Sequence, residues 1–180
     1  MTPFCAMQLH YNLLERSIER DYFALARAQN MAITPWSPLA GGLLTGKFNR
    51  DSDRSAQQGT RLADSPRRAQ VLQEKNLVVA EKLVELAKEL DCSAAQLALA
   101  WMMRRTSACV VPIIGARSLA QLQDNLGAAQ VRLDTAQITA LDELTAVDPA
   151  YPQTLYASDF FRTMMYGEAW NELELDRPWQ

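Results

Sequence analysis

The sequence predicts an α/β fold built on a small parallel sheet, and three observations carry that reading. Short apolar runs with strand character recur at residues 4–11, 31–36 and 109–114, and stretches with apolar residues at the helical period lie between and after them. The chain has 180 residues, which suits one domain when about 150 is typical. Hydrophobic residues make up 48% and charged residues 22%, a globular composition far from that of a disordered chain.

The first strand, residues 4–11, interleaves Gln8 and His10 with apolar positions and ends at Asn12. Ser17 is placed to cap a helix in which Ile18, Tyr22, Leu25 and Ala26 share one face, closing near Gln29 and Asn30. Residues 31–36, closed by Pro35 and Pro38, read as a parallel strand buried on both faces. From 39 to 64 the chain carries Gly41, Gly42, Gly46 and Gly59 with no period, a long loop of the kind that serves as a binding lid. Leu72, Val79, Leu83, Leu86 and Leu90 then form the apolar stripe of a long surface helix. Its other face carries Glu74, Lys75, Glu81, Lys82, Glu85, Lys88 and Glu89.

Ser93 caps a helix over 94–104 with Leu97, Ala100 and Trp101 inward, and the β-branched run 109–114 is the third strand. Gly115 ends it. Leu119, Leu122 and Leu126 open another amphipathic helix, and Asp134 caps one more that carries Ile138, Leu141 and Leu144. Residues 149–180 mix Pro149, Pro152 and Pro178 with aromatic residues and read as a C-terminal strap with one short helix near 160–166. Strands alternating with helices imply parallel pairing through right-handed crossovers.

Lys plus Arg total 18 against 21 for Asp plus Glu, a net charge of −3 that disfavours nucleic acid and anionic membranes as partners. No long apolar span or leader pattern is visible, so the cytoplasm is the expected compartment. Cys5, Cys92 and Cys109 show no CxxC spacing, which argues against a disulfide framework and a cysteine-held metal; no metal site is expected.

Ligands of α/β folds gather at the carboxyl ends of strands. Two segments there suit a dinucleotide. In residues 35–47, Trp36 offers a face for an aromatic ring, the glycines allow close approach and Lys47 adds a point charge. In residues 114–125, Gly115 lets the backbone approach a ligand, the following helix presents its first amides and Arg117 pairs with phosphate.

These two segments, with Gln8-Leu9-His10-Tyr11-Asn12-Leu13-Leu14-Glu15-Arg16, closely resemble the aldo-keto reductase family over about residues 6 to 147, in particular the branch containing the potassium-channel beta subunits. The resemblance implies an incomplete (β/α)8 TIM barrel in which these are the last three strands with their helices, so that residues 1–180 form a single domain, the C-terminal part of such a barrel. It implies NADP(H) as cofactor, bound in extended form without a GxGxxG motif. By position, Gln8 matches the residue that bonds the nicotinamide carboxamide, and Trp36 the aromatic on which the nicotinamide stacks. Ser37, Pro38, Leu39, Ala40 and Gly41 match the loop along the pyrophosphate, with Lys47 and Arg61 closing over it. Gly115, Arg117, Ser118, Gln121, Asp124 and Asn125 match the segment that holds the adenosine and its 2′-phosphate.

The family's catalytic Asp, Tyr, Lys and His lie in its first four strands, and no residue here matches them. No catalytic residue is therefore assigned, and the chain alone is expected to be inactive. A carbonyl substrate would bind only with the missing half supplied. His10 is the only histidine and reads as structural or exposed; Arg67 and Arg68 read as a solvated rim, and Trp101, Met102 and Met103 as helix core. Two alternatives stand beside the reductase reading. One is a non-catalytic module that binds NADP(H) or pairs with a second copy or partner chain through its open strand edge; the other is a truncated gene remnant.

Overall fold

Three strands pair in parallel in chain order, β1 (Ala6–Met7), β2 (Ala32–Ile33) and β3 (Cys109–Val110). They are seen in a computed structural model that describes residues 2–48, 62, 65–66, 68–105, 108–147 and 149–172. Pairing outlasts the regular strands. The amides of Ala32, Thr34 and Trp36 donate to the carbonyls of Cys5, Met7 and Leu9 at 2.9, 2.8 and 3.0 Å, and those of Val111 and Ile113 to Ile33 and Pro35, both at 2.9 Å. Since the amides of Val111 and Ile113 face β2, that of Pro112 alternates toward the open edge, where its lack of a donor sacrifices no bond to β2.

Alternation gives the sheet two unlike faces. Tyr11, Ile33 and Val110 lie against the helices and are at most 7% exposed. On the opposite face Trp36, Val111 and Ile113 are 38, 53 and 43% exposed. The expectation that residues 31–36 are buried on both faces is therefore wrong. Ala32, Thr34 and Trp36 alternate onto the bare side, which no helix among the described residues covers.

The connections supply the covering helices. Ser17 does not cap the first. Its hydroxyl donates to Glu15, residues Ser17–Glu19 form a 3-10 turn, and α1 begins later, at Tyr22–Ala28. After β2 come 3-10 turns over Ala40–Thr45, a short α2 (Arg68–Val71), α3 (Glu74–Glu89) and α4 (Ala94–Met103). Most of the segment expected to form a lid, with Arg61 and Arg67, lies outside the described residues. α4 is the core helix: Ser93 caps it in a reciprocal box with Gln96, and Leu97, Ala98, Trp101 and Met102 are fully enclosed.

β3 leads into α5 (Leu119–Gly127) and α6 (Thr135–Leu144), the latter capped by an Asp134–Gln137 box. α7 (Gln153–Ala157) and α8 (Asp159–Tyr166) follow, α8 standing where a helix was expected in the tail. α5 departs from its sequence pattern. Leu119 and Leu126, 69 and 57% exposed, face solvent, whereas Asn125 is buried. The leucine stripe points away from the three strands and their helices, leaving a second apolar surface uncovered.

A charged cluster around Trp101 ties distant segments together. Asp142 of α6 accepts from the indole Nε1 at 3.0 Å and from Arg105 Nη1 at 2.7 and 2.9 Å. Glu19 accepts from Tyr11 Oη at 2.6 Å, from Arg16 Nε and Nη2 at 2.9 Å each, and from Arg105 Nη2 at 3.1 Å. Arg16 also reaches the Asp142 carbonyl at 3.0 Å and the Thr145 hydroxyl at 2.8 Å. Both guanidinium carbons lie over the Trp101 ring, at 5.3 Å for Arg16 and 5.1 Å for Arg105. Burial works against the Arg16 charge, but Glu19 and Asp142 outweigh it and hold its pKa above the ordinary value.

Two outcomes follow. Asp142→Ala leaves Arg105 Nη1 and the indole N–H without their acceptor at once, so it lowers stability by about 2–4 kcal/mol in urea denaturation. Removing the exposed, solvent-screened Lys82–Glu85 pair, 2.6 Å apart, leaves the urea midpoint unchanged. Burial, then Glu19, raises the Tyr11 pKa above its ordinary 10.0. The folded state keeps that proton after the unfolded chain has lost it, so this contribution to stability is complete below about pH 10 and declines above it. Tyr11→Phe reduces that alkaline decline, as measured by urea midpoints across pH 8 to 11.

Candidate functional site

β1, β2 and β3 all end at one cleft of about 1060 Å³. His10 and Asn12 line it from the end of β1, Trp36, Ser37, Ala40 and Gly41 from the loop after β2, and Ile113, Ile114 and Gly115 from the end of β3. Gln70 and Val71 of α2 and Gln73, Lys75 and Asn76 at the start of α3 close the far side. The two sequence segments singled out for a dinucleotide thus meet in one place, at the carboxyl ends of parallel strands.

The loop after β2 is held in an uncommon backbone shape. Ser37 and Ala40 adopt φ of 55° and 49°, and Gly41 follows at 67°. Residues with side chains seldom enter this left-handed region, and when they do so together the surrounding structure must enforce it. Asn12 is the enforcing group on the strand side. It is 1% exposed, its Nδ2 donates to the Ser37 carbonyl at 3.0 Å, and its Oδ1 accepts from the Leu14 amide at 2.8 Å. Within the loop, the Ala40 amide donates to Ser37 O at 3.0 Å, the Gly42 amide to Leu39 O at 2.8 Å, and the Thr45 hydroxyl to Gly42 O at 2.7 Å. Pro38 is buried beneath it.

Trp36 stands at the cleft with its indole stacked on the His10 imidazole, ring centroids 4.0 Å apart and planes 10° from parallel. The two residues are backbone partners in a parallel bridge. Gly115 is exposed, and a Cβ placed on it would meet nothing within 4 Å. This glycine faces open space rather than a packed neighbour.

The other residues expected to hold the cofactor are more dispersed. Gln8 is exposed on the bare face of the sheet, and Lys47 is exposed beyond the cleft lining. Arg117 and Ser118 are exposed at the start of α5, where Ser118 caps the helix and Gln121 folds back to accept from the Arg117 amide at 2.9 Å. Further along α5, Asp124 takes the Ser93 hydroxyl at 3.0 Å and its carbonyl takes Gln96 Nε2 at 3.0 Å, contacts that dock α5 on α4. Asn125 is buried there as well. Arg61 lies outside the described residues.

Asn12 and His10 are what the sequence reading missed as cleft residues. The Asn12 signal was present: an asparagine directly after a strand, bonding its own backbone two residues on, closes a turn. The role of His10 depends on register with Trp36, which local pattern does not reveal.

The residues fit a nicotinamide dinucleotide in kind. There is an exposed aromatic ring, a rigid glycine-bearing loop beside it, and open space before a second glycine at a helix start. They do not supply a proton donor of the expected type. Tyr11 is fully buried, bonded to Glu19, and its pKa is raised by burial. No tyrosine lines the cleft among the described residues. Those residues also hold no group of three or more metal-ligating side chains, and no helix among them is long and apolar enough to cross a membrane.

Comparison with known proteins identifies the family. The model of the aldo/keto reductase family matches residues 1–146. The chain is 37% identical over 137 residues to the uncharacterized oxidoreductase YrpG of Bacillus subtilis, covering 76% of this chain and 39% of that protein. It is 29% identical over 160 residues to the putative aryl-alcohol dehydrogenase AAD14 of Saccharomyces cerevisiae, covering 88% and 41%. With the probable aldo-keto reductase 1 of Glycine max it shares 31% over 145 residues, covering 81% and 41%. The chain thus spans about two-fifths of the length of these relatives. From the strand-end cleft and the family match over most of its length, this chain belongs to the aldo/keto reductase family, which generally uses NAD(P)H.

Proposed function

We propose that this chain is the cofactor-holding C-terminal part of a carbonyl reductase, binding NADP(H) in the cleft at the ends of β1, β2 and β3. The observation that carries the reading is the convergence of the Trp36–Gly41 loop and Ile113–Gly115 on one cleft, with the first loop rigid before any ligand arrives. In this reading Trp36 stacks on the nicotinamide, the backbone of Ser37 to Gly41 runs along the pyrophosphate, and Arg117 and Ser118 face the phosphate on the adenosine side. Gln8, Lys47, Arg61, Gln121, Asp124 and Asn125 keep the roles that their positions imply. When bound, the dinucleotide supplies a hydride for an aldehyde or ketone.

This chain's own task is binding and orientation. The acid that protonates the carbonyl oxygen comes from elsewhere, since Tyr11 is locked against Glu19. The bare face of the sheet supports a partial barrel. Parallel sheets are ordinarily covered on both faces, and the uncovered side chains of Trp36, Val111 and Ile113 are those that alternate toward a barrel interior. The same bare face favours a second reading, a module that associates with another chain and performs no chemistry itself.

A thermal melt with and without NADP⁺ tests the first reading, because a ligand that binds only the folded state raises the midpoint. The wild-type midpoint rises with NADP⁺ concentration. Asn12→Ala, which releases Ser37, still melts cooperatively but loses at least half of that rise. A wild-type midpoint insensitive to millimolar NADP⁺ contradicts the reading. Co-purification with the N-terminal part of a family oxidoreductase such as YrpG separates the two: restored NADPH oxidation with an aldehyde supports the reductase reading, and a stable but inactive complex supports the association module.

A further inference from the structure

We propose that His10 is a positioning residue for Trp36, a flat shelf that fixes the angle at which the indole meets a ring entering the cleft. The inference rests on the reading that the cleft takes a nicotinamide, and it concerns how this chain prepares its stacking partner. Its first support is geometric. The rings lie 4.0 Å apart and 10° from parallel, and the two backbones are held in register by a parallel bridge, so neither ring reaches the other through a long flexible stem. A stacked ring narrows the rotamers open to an indole, and each rotamer presents a different face to the cleft.

The second support is the hydrogen-bond order around Asn12. Its Oδ1 is engaged by the Leu14 amide, so the nitrogen end of the amide is the one that points to Ser37 O and to His10 Nε2, 3.0 and 3.4 Å away. An amide NH2 only donates. With Nε2 as the acceptor of that contact, the Asn12 amide steadies the His10 ring from the strand side. The series Asn12, His10, Trp36 therefore hands the rigidity of the strand end to the indole, and the same Asn12 fixes the loop beneath. One asparagine aligns both the stacking ring and the backbone beside it.

The test uses the full chain and the variants His10→Ala and His10→Phe, with Trp36→Phe serving to assign the Trp36 indole N–H signal by NMR. Without cofactor, His10→Ala shifts that signal and broadens it as the indole gains rotamers, and His10→Phe keeps it sharp because a flat ring is restored. In NADPH fluorescence titrations His10→Ala weakens binding about three- to tenfold, the scale of one aromatic pair, and His10→Phe returns it to within about twofold of the wild type. An unchanged Trp36 signal in His10→Ala overturns the proposal. So does tighter NADPH binding by that variant, which would mean that His10 occupies the seat itself, or failure of His10→Phe to restore either readout. If the wild-type chain binds no NADPH, the cofactor reading falls while the Trp36 signal still decides whether His10 sets the indole.

Discussion

The carboxylate–guanidinium cluster around Trp101 is the interaction on which the rest of this molecule depends. Glu19 follows β1, Trp101 and Arg105 lie on and just after α4, and Asp142 lies on α6, so the cluster joins the start of the chain to helices far along it. Its elements are partly buried, with side-chain exposures from 10 to 31%, in the range where a lost partner leaves an expensive orphan charge. Tyr11 carries the effect to the site. Its hydroxyl is bonded to Glu19, its ring packs edge-on against Phe23 and stacks with Trp101, and its neighbours in sequence are His10 and Asn12. The cleft is therefore rigid on the β1 side because the end of that strand is anchored from behind.

The second governing constraint is the uncovered side of the sheet. Three strands with helices on one face bury one set of alternating side chains and leave the other to water, and the leucines of α5 add a further exposed stripe. Isolated apolar residues on a surface need no explanation, but a sheet face and a neighbouring helix stripe together do. Relatives are more than twice as long as the matched segment.

Local signals were legible in the sequence and long-range ones were not. Ser93 and Asp134 cap their helices as read, because a cap needs only neighbours three residues apart, and the structure adds Gln96 and Gln137 as their reciprocal partners. Ser17 failed as a cap because Glu15, two residues back, took its hydroxyl. The core role of Trp101 was visible, but its partners Asp142 and Glu19 were not; the Arg105–Glu19 contact spans 86 residues. Periodicity located α5 correctly and misjudged its exposure, since a leucine stripe announces an interface without naming the other side. At the site, the Trp36–Gly41 loop and Gly115 were legible because turns advertise themselves in residue type. His10 was set aside because its meaning lies in the register of β1 against β2.

The central claim, that the ends of the three strands form one dinucleotide site already shaped in this chain, is tested most directly by backbone amide NMR during titration with NADP⁺. The account predicts shifts at Gln8, His10 and Asn12 and within residues 36–47 and 113–125, with the amides around Trp101 and on α6 unmoved. Shifts centred on the Trp101 cluster and α6, or none at saturating cofactor, would contradict it.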